Sequence, residues 1–295
     1  MDRYTAVSRV LLSVFFLNLT VAVAKIVLGV VTGAVSVLSD GFHSLTDSAS
    51  NIVALVGVRI AGRPPDADHP YGHRKFETMA SVAILLFLLL VLVQLLWAAF
   101  ERFQSPTAPT VDTISFVVMG GTLLVNVAVV FYERRAGHRL SSEVLLADSL
   151  HTQSDLFTSL AVIAALVGVR LGYPMLDPLA ALVIAGFISY ACWKIFHDTT
   201  RILADEIVIA SDDIHDVVLE VPEVLGCHQI RSRGSRDHVF LDLHIWMDPG
   251  MRLDVAHRIS HQVKDHIMAR YPQVKDAVIH LEPPPRDRDI AASSR

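Results

Sequence analysis

The sequence predicts an α-helical membrane protein with six transmembrane helices, followed by a C-terminal cytoplasmic α/β domain of the ferredoxin-like α-β-β-α-β type. The first observation is composition: of 295 residues, 52% are hydrophobic and 19% are charged, against about 25% charged in soluble domains. The second is that apolar residues fill positions 7–196 and thin out afterwards. We therefore expect a six-span transmembrane domain over residues 1–204, a cytoplasmic domain over 205–285 and a disordered tail over 286–295.

Six stretches are long and apolar enough to cross the roughly 30 Å hydrocarbon core of a bilayer, which takes about 20 residues. They cover residues 7–31, 35–60, 79–100, 114–132, 144–169 and 176–196. The first is too long for the apolar core of a signal peptide and lacks a small-residue cleavage site. We therefore expect it to remain as a span.

Basic residues are concentrated in the loops on one side of these spans. Arg3 and Arg9 precede span one, and further Lys and Arg residues lie between spans two and three and between four and five. Because basic loops stay in the cytoplasm, both termini are expected there, in a multi-pass protein of a bacterial inner membrane. A net charge of −5 argues against nucleic acid as a partner.

Spans two and five carry the same ionisable pattern, Asp-x2-His-x3-Asp. Its residues are Asp40, His43 and Asp47 in span two, and Asp148, His151 and Asp155 in span five. Residues at i and i+4 share one helix face, so each His faces the same way as the Asp that follows it. Ionisable groups at membrane depth are costly and usually face a bundle interior or a water-filled path.

Two carboxylates brought together at that depth repel each other, and a divalent cation removes the repulsion. Two imidazoles and two carboxylates suit zinc, with iron(II), cobalt and cadmium as alternatives, whereas all-oxygen sites favour manganese or magnesium. For any single residue the alternative is a hydrogen bond between helices, but the repeat favours one shared metal site. We interpret Asp40 and Asp148 as hydrogen-bond partners of the histidines or as part of the exit path for ions.

The loop between spans two and three also carries residues with the spacing of metal ligands. Asp66, His69 and His73 form an Asp-x2-His-x3-His cluster, and Pro70 and Gly72 favour a tight turn that holds these side chains together. This pattern predicts a second metal site next to the cytoplasmic face of the membrane. A generic acidic loop is the alternative.

The segment after span six has the pattern of a small α/β domain. We predict a helix over 211–220 with Ser211 as its N-cap, strands over 226–233 and 238–247, a helix over 255–270 and a strand over 274–281. The second strand alternates apolar residues from Val239 to Ile245 with Phe240, Asp242, His244 and Trp246. This order is ferredoxin-like, and Trp246 is a candidate dimer contact.

Several residues of this domain can converge on a metal. They are His228, His244, His257, His261, His280 and Glu282. The alternative for each is a surface histidine without a role, which is how we interpret His215, His238 and His266. Cys227 either adds a thiolate ligand or is an inert small hydrophobic residue. Whether Cys227 or His261 is a ligand stays open.

Four motifs resemble those of the cation diffusion facilitators. They are Ser-Asp-Gly-Phe-His-Ser-Leu-Thr-Asp ending at Asp47, Asp-His-Pro-Tyr-Gly-His-Arg-Lys ending at Lys75, Ala-Asp-Ser-Leu-His-Thr-Gln-Ser-Asp ending at Asp155, and Cys-His-Gln-Ile-Arg-Ser-Arg beginning at Cys227. The resemblance covers residues 7–285. It implies six spans, a cytoplasmic ferredoxin-like domain, a homodimer, and export of divalent metal across the lipid bilayer in exchange for protons, without enzyme activity.

The resemblance also implies roles for individual residues. The transport site would comprise His43, Asp47, His151 and Asp155, and the loop site Asp66, His69 and His73. The zinc-binding region of the tail, which supports dimerisation and senses metal, would comprise His228, His244, His257, His280 and Glu282. Lys75 and Asp205 match a charge pair that locks two protomers together. Glu282 departs from the family pattern, which has Asp there, and His43 resembles zinc-preferring members.

These observations predict Zn2+ efflux by alternating access. Zinc binding would neutralise Asp47 and Asp155 and release protons, because metal ligands must be deprotonated, and histidine is suited to the reverse exchange near neutral pH. The alternatives are an exporter of Fe2+, Mn2+, Co2+ or Cd2+, an intramembrane metallohydrolase, and a metal sensor. The sequence lacks the His-Glu-x2-His pattern of a zinc hydrolase. The physiological metal, the proton stoichiometry and the number of metals in the tail stay open.

Overall fold

A computed structural model describes residues 3–32, 35–104, 113–170 and 176–285, and these form two compact units that divide between residues 200 and 201. The side chains of Asp40, His43 and Asp47 lie outside the described part of the chain. The predicted disordered tail, residues 286–295, also lies outside it.

The described part of the first unit consists of helices and the connections between them. Its helices are α1 (Arg3–Thr32), α2 (Val35–Ala61), α3 (Lys75–Gln104), α4 (Thr113–Leu140), α5 (Glu143–Arg170) and α6 (Leu176–Leu203). Among the described residues, two segments, Arg3–Leu28 and Lys75–Trp97, are long and apolar enough to cross a membrane. Each predicted span coincides with one helix, and the number of helices that cross the membrane stays a prediction.

The helices of this unit share an apolar interior and carry apolar side chains outside. Leu11, Ile84 and Leu145 are fully buried, and α1 packs along α2 while α4 packs along α5. Large side chains such as Leu90 and Trp193 are exposed by 60% and 63%. Apolar side chains outside a helical unit of this kind are what a hydrocarbon environment requires.

The second unit confirms the predicted α-β-β-α-β order. It contains α7 (Ser211–Leu219), β1 (Gly226–Ser235), β2 (His238–Trp246), α8 (Leu253–Arg270) and β3 (Val274–Glu282). The sheet order is β1-β2-β3; β1 and β2 are antiparallel, and β2 and β3 are parallel. A parallel neighbour requires a crossover, which α8 supplies.

The two faces of the sheet differ in polarity as the alternation in β2 predicts. Val239, Leu241, Leu243 and Ile245 are buried with Ile214 of α7 and Ile267 of α8. The intervening residues of β2, including His244 and Trp246, are half-buried. The opposite face of this strand is therefore free to carry polar groups.

The predicted N-cap of α7 is wrong. Ser211 is the first helical residue, Ala210 occupies the cap position, and no side chain caps the helix. The Ser211 hydroxyl instead donates a hydrogen bond to the Ile230 carbonyl oxygen at 3.3 Å. This hydroxyl joins the helix to β1, a long-range contact that a local capping pattern does not reveal.

Candidate metal centres

The loop between α2 and α3 folds into a tight turn that gathers its polar side chains. The Gly72 N–H donates to the His69 carbonyl oxygen at 2.9 Å, and Gly72 has φ +85°. Glycine adopts this left-handed conformation without a Cβ penalty. The Asp66 carboxylate accepts the His69 N–H at 2.7 Å and the Asp68 N–H at 3.1 Å. Backbone donors therefore hold the carboxylate in place.

Asp66, His69 and His73 come together as a candidate metal centre. One ligand atom from each lies within 4.8 Å of the other two. The His69 Nδ1 atom lies 3.2 Å from Asp66 Oδ1, and the His73 Nε2 atom lies 3.2 Å from Asp66 Oδ2. Two imidazoles and one carboxylate match the ligand types that bind zinc.

The orientation of His73 favours a cation at this position. Its ring is buried, and Nδ1 lies 3.1 Å from the Pro64 carbonyl oxygen. A carbonyl only accepts hydrogen bonds, so Nδ1 carries the hydrogen. In a neutral ring, Nε2 would then turn a lone pair toward the Asp66 carboxylate. A proton or a metal ion removes that conflict, and a ring fixed through its other nitrogen is typical of metal-binding histidines.

The Asp66 carboxylate is ionised at neutral pH. Its hydrogen bond from the backbone N–H of His69 is the main reason that the pKa of Asp66 lies below its ordinary value. Slight burial opposes this effect, and the His69 and His73 side chains lower the pKa further. An ionised carboxylate is the form that binds a metal.

A second cluster lies on the polar side of the sheet in the C-terminal unit. The strand register pairs His228 with His244 and places His280 beside His244. The Glu282 carboxylate joins these residues: His228 Nε2 lies 3.0 Å from Oε2, and His244 Nδ1 contacts Oε1. His228, His244 and Glu282 each offer an atom within 4.8 Å of the others.

The structure separates the predicted ligands of this domain into two places. His280 borders the cluster, with Nε2 at 3.5 Å from Glu282 Oε1. His257 lies on α8, where its ring centre is 4.6 Å from that of His261. It lines a cleft of about 750 Å³ together with Arg252, Leu253, Asp254 and Leu281. Among the described residues, His257 therefore stands outside the three-residue group.

Two pKa values in this domain bear on ligand chemistry. Burial raises the pKa of Glu282, but hydrogen bonds from His244 and His228 bring the net pKa below its ordinary value. Burial, helped by the charge of Asp216, raises the pKa of the Cys227 thiol to about 11. Cys227 also packs in the apolar core. Between the two interpretations of Cys227, the structure favours the inert hydrophobic residue.

Of the two copies of the Asp-x2-His-x3-Asp motif, the structure describes the side chains of the copy in α5. In α5, Asp148 and His151 are buried and Asp155 is half-buried. The Asp148 carboxylate accepts a hydrogen bond from Asn51 of α2 at 2.5 Å, and Asn51 accepts one from Asn18 of α1 at 3.1 Å. The four-ligand transport site stays a prediction, because the side chains of His43 and Asp47 are not described.

Two buried glutamates escaped the sequence analysis. Glu77, fully buried at the start of α3, binds both terminal nitrogens of Arg3, at 2.7 and 3.1 Å, and the Ser142 hydroxyl at 2.5 Å. Glu133, also fully buried, accepts a hydrogen bond from the Thr152 hydroxyl at 3.4 Å. A signal was present for Glu133, because it is the single acidic residue of α4.

A helical unit that buries ionisable side chains, followed by an α/β domain with a histidine–carboxylate cluster, defines a membrane protein that handles metal cations. Comparison with known families agrees. Residues 11–204 match the cation efflux transmembrane domain, and residues 209–284 match the cytoplasmic domain of cation efflux proteins. The chain therefore belongs to the cation diffusion facilitator family. It is an integral membrane transporter for the efflux of divalent metal cations, and it is not an enzyme.

Individual relatives extend over most of the chain. Metal tolerance protein C1 of Arabidopsis thaliana is 31% identical over 92% of this chain, which spans 62% of that protein's length. The cation-efflux pump FieF of Serratia proteamaculans is 31% identical over 88% of this chain and 87% of its own length. The metal-bound C-terminal domain of the CzcD transporter from Thermotoga maritima is 28% identical, with a TM-score of 0.25, over 26% of this chain and 88% of that domain.

These matches have two consequences for the predictions. They exclude the intramembrane metallohydrolase, since the family and the relatives are transporters. The match of residues 209–284 to the cytoplasmic domain of cation efflux proteins supports dimerisation by that unit. Lys75 begins α3, Asp205 follows α6, and their role as a charge pair between protomers stays a prediction.

Proposed function

We propose that this protein exports Zn2+ from the cytoplasm in exchange for protons. The observation that carries the choice of metal is the ligand set of the two described clusters, each with two imidazoles and one carboxylate. Nitrogen-rich sites of this kind suit zinc, whereas Mg2+, Ca2+ and Mn2+ prefer oxygen ligands. Three protein ligands leave one position of a tetrahedral zinc open.

In this proposal the transported ion binds between α2 and α5, at His43, Asp47, His151 and Asp155. The buried position of His151 supports it, because an ionisable ring at membrane depth has a functional reason to be there. Zinc displaces protons from these ligands on the cytoplasmic side, since only deprotonated groups bind metal. After the site opens outward, protons return to the histidines and carboxylates and the ion leaves. The transporter thereby couples metal export to proton entry.

The proposed working form is a homodimer with both termini in the cytoplasm. Zinc bound by Asp66, His69 and His73 would stiffen the loop beside α3, and zinc bound by His228, His244 and Glu282, with His280 and His257 nearby, would hold the cytoplasmic domains together. Lys75 and Asp205 would form the charge pair between protomers. Glu282 contacts three histidines, which supports this residue as the ligand where the family has Asp.

Metal uptake by proteoliposomes containing the purified full chain tests the proposal. Zn2+, Fe2+, Mn2+, Co2+ and Cd2+ are offered separately, with a pH-sensitive dye on the opposite side of the membrane. We expect Zn2+ to be taken up fastest and to drive counterflow of protons. Faster transport of Fe2+ or Mn2+ than of Zn2+ contradicts the zinc assignment, and zinc flux without proton flux contradicts the exchange. Metal binding without any flux of metal or protons would instead favour the alternative that the protein is a metal sensor.

A further inference from the structure

We propose that Glu133 and Asp148 form a buried acid pair that shares a single proton and serves as a second proton-binding site beside the transport site. The inference rests on the proposed zinc–proton exchange for its role. The pair itself is an observation about packing. Both side chains are fully buried where α4 packs along α5. The Thr152 hydroxyl joins the two residues, at 3.4 Å from Glu133 Oε2 and 3.2 Å from the Asp148 carbonyl oxygen, and the two carboxyl groups interact with each other.

The hydrogen-bond inventory of the pair leaves room for one proton. Asp148 Oδ2 accepts from the Asn51 amide at 2.5 Å. The Thr152 hydroxyl has one hydrogen and two acceptors within reach, the Asp148 carbonyl oxygen at 3.2 Å and Glu133 Oε2 at 3.4 Å. Glu133 Oε1 and Asp148 Oδ1 are buried without a donor. Two ionised carboxylates have no hydrogen to place between them, whereas a carboxylic acid and a carboxylate form a strong hydrogen bond. Sharing a proton also avoids two adjacent negative charges at low dielectric.

The charged groups around the pair do not replace that proton. On α5, His151 favours negative charge on the acid pair and Asp155 opposes it. On the neighbouring helices, α2 contributes the neutral Asn51. The buried Lys25 of α1 donates to Ser44 at 2.9 Å, and Glu77 of α3 is paired with Arg3. Among the described residues, no Lys or Arg contacts both carboxyl groups.

The location of the pair gives it a function. Thr152, which binds Glu133, adjoins His151 in the chain, and Asp148 lies one helical turn before His151. With the proton the pair carries one negative charge, and without it two. The state without the proton, with two negative charges, becomes favourable when a divalent cation enters the neighbouring transport site, because the cation compensates the added charge. Zinc binding would then expel the shared proton, in addition to those displaced from the metal ligands themselves.

Infrared spectroscopy of the full-length protein tests the pair without requiring transport. At neutral pH we expect a carbonyl-stretching band from a protonated carboxyl group, and zinc should diminish it. In Glu133→Gln and in Asp148→Asn the amide supplies the N–H that the proton supplied, so the fold is kept and the band is lost. Glu101→Gln, at an exposed glutamate that accepts a hydrogen bond from Trp97, should leave the band intact. A band that persists in both amide variants overturns the proposal.

The proton count tests the role. Calorimetric titration with zinc in buffers of different ionisation enthalpy gives the number of protons released for each ion bound. We expect Glu133→Gln to release one fewer proton than the wild type and still to bind zinc. If Glu133→Gln fails to fold, Asp148→Asn provides the same comparison. An unchanged count overturns the role. If the infrared band is present but liposomes show no zinc–proton exchange, the proposed function is refuted and the acid pair stands. If liposomes show the exchange but the infrared band is absent, the acid pair is refuted and the proposed function stands.

Discussion

The Nε2 atom of His73 lies 3.2 Å from the Oδ2 atom of Asp66, while the opposite ring nitrogen of His73 is held by the Pro64 carbonyl oxygen. This geometry directs one fixed imidazole nitrogen at an ionised carboxylate on the surface of a transporter. Other ionisable side chains of the protein also meet in defined contacts: Glu282 with its histidines, Arg3 with Glu77, and Glu133 with Asp148.

The loop centre predicts that Asp66→Asn lowers the zinc stoichiometry of the full-length protein by one ion per protomer. An amide binds zinc poorly compared with a carboxylate, and its NH2 group competes with the metal for the histidine nitrogens. Asp68→Asn is the control, because Asp68 lies in the same loop and contributes only its backbone N–H to Asp66. Equilibrium dialysis with zinc measures both. Equal zinc content in the two variants would disprove the site.

The cluster in the C-terminal unit predicts that Glu282→Gln weakens zinc binding there. Mutation of groups that only support metal ligands costs about 10- to 100-fold in metal affinity, so loss of a charged ligand should raise the Kd for zinc by at least about that factor. Glu220→Gln is a matched control, since Glu220 also binds a histidine, His266, at 2.6 Å but through a single exposed contact. Competition with a zinc chelator gives the affinities. The interpretation fails if the two glutamine variants retain zinc equally.

The raised pKa of Cys227 predicts a thiol that resists alkylation. The thiolate is the reactive form, and with a pKa of about 11 the residue stays protonated at neutral pH. In a Cys192→Ala background, maleimide labelling should be slow at pH 7 and should accelerate as pH rises toward 11. Unfolding in denaturant should make labelling fast at neutral pH, because exposure restores an ordinary pKa. Rapid labelling of the folded protein at pH 7 would indicate a thiolate and reopen Cys227 as a ligand.

The buried ion pair of Arg3 and Glu77 predicts a large loss of stability in Glu77→Gln. Arg3 donates two hydrogen bonds to Glu77 and one to each of the carbonyl oxygens of Leu140 and Ser141. The pair therefore joins the starts of α1 and α3 to the end of α4. Removing one partner of a buried pair costs about 3–5 kcal/mol. Thermal unfolding in detergent measures the effect.

Asp254→Asn is the control for that measurement. Asp254 binds Arg252 with 60% and 83% of the two side chains exposed, and such exposed pairs contribute about 0–1 kcal/mol. Its melting temperature should stay at that of the wild type. A Glu77→Gln variant as stable as Asp254→Asn would show that the buried pair does not hold these helices together.

The sequence was most informative where a pattern is local or repeated. The alternation in β2 predicted which face of the sheet is apolar, and Asp66, His69 and His73, which have the spacing of metal ligands, lie close together in the loop. The irregularity of β1 between His228 and Arg231, with φ +50° at Gln229, had no sequence signal. It depends on how the strand pairs with β2, which no property of the strand alone determines.

Long-range packing explains what the sequence did not predict. Glu133 is followed by two arginines and Arg3 lies near the first residue, and charges in such places are usually solvated. Glu133 is buried, and Arg3 contacts Glu77, because other helices pack against them. The grouping of tail histidines also depends on distance in space. His228, His244 and Glu282 adjoin one another through the sheet, whereas His257 projects from a different element, α8.

The most direct test of the central claim measures zinc-driven proton flux in proteoliposomes that contain either the wild type or Asp155→Ala. Asp198→Asn, at an exposed aspartate of α6, serves as the control with an equal loss of charge. We expect zinc to drive proton counterflow in the wild type and in Asp198→Asn, and we expect Asp155→Ala to show neither zinc nor proton flux. Zinc-dependent proton flux retained in Asp155→Ala would contradict the central claim.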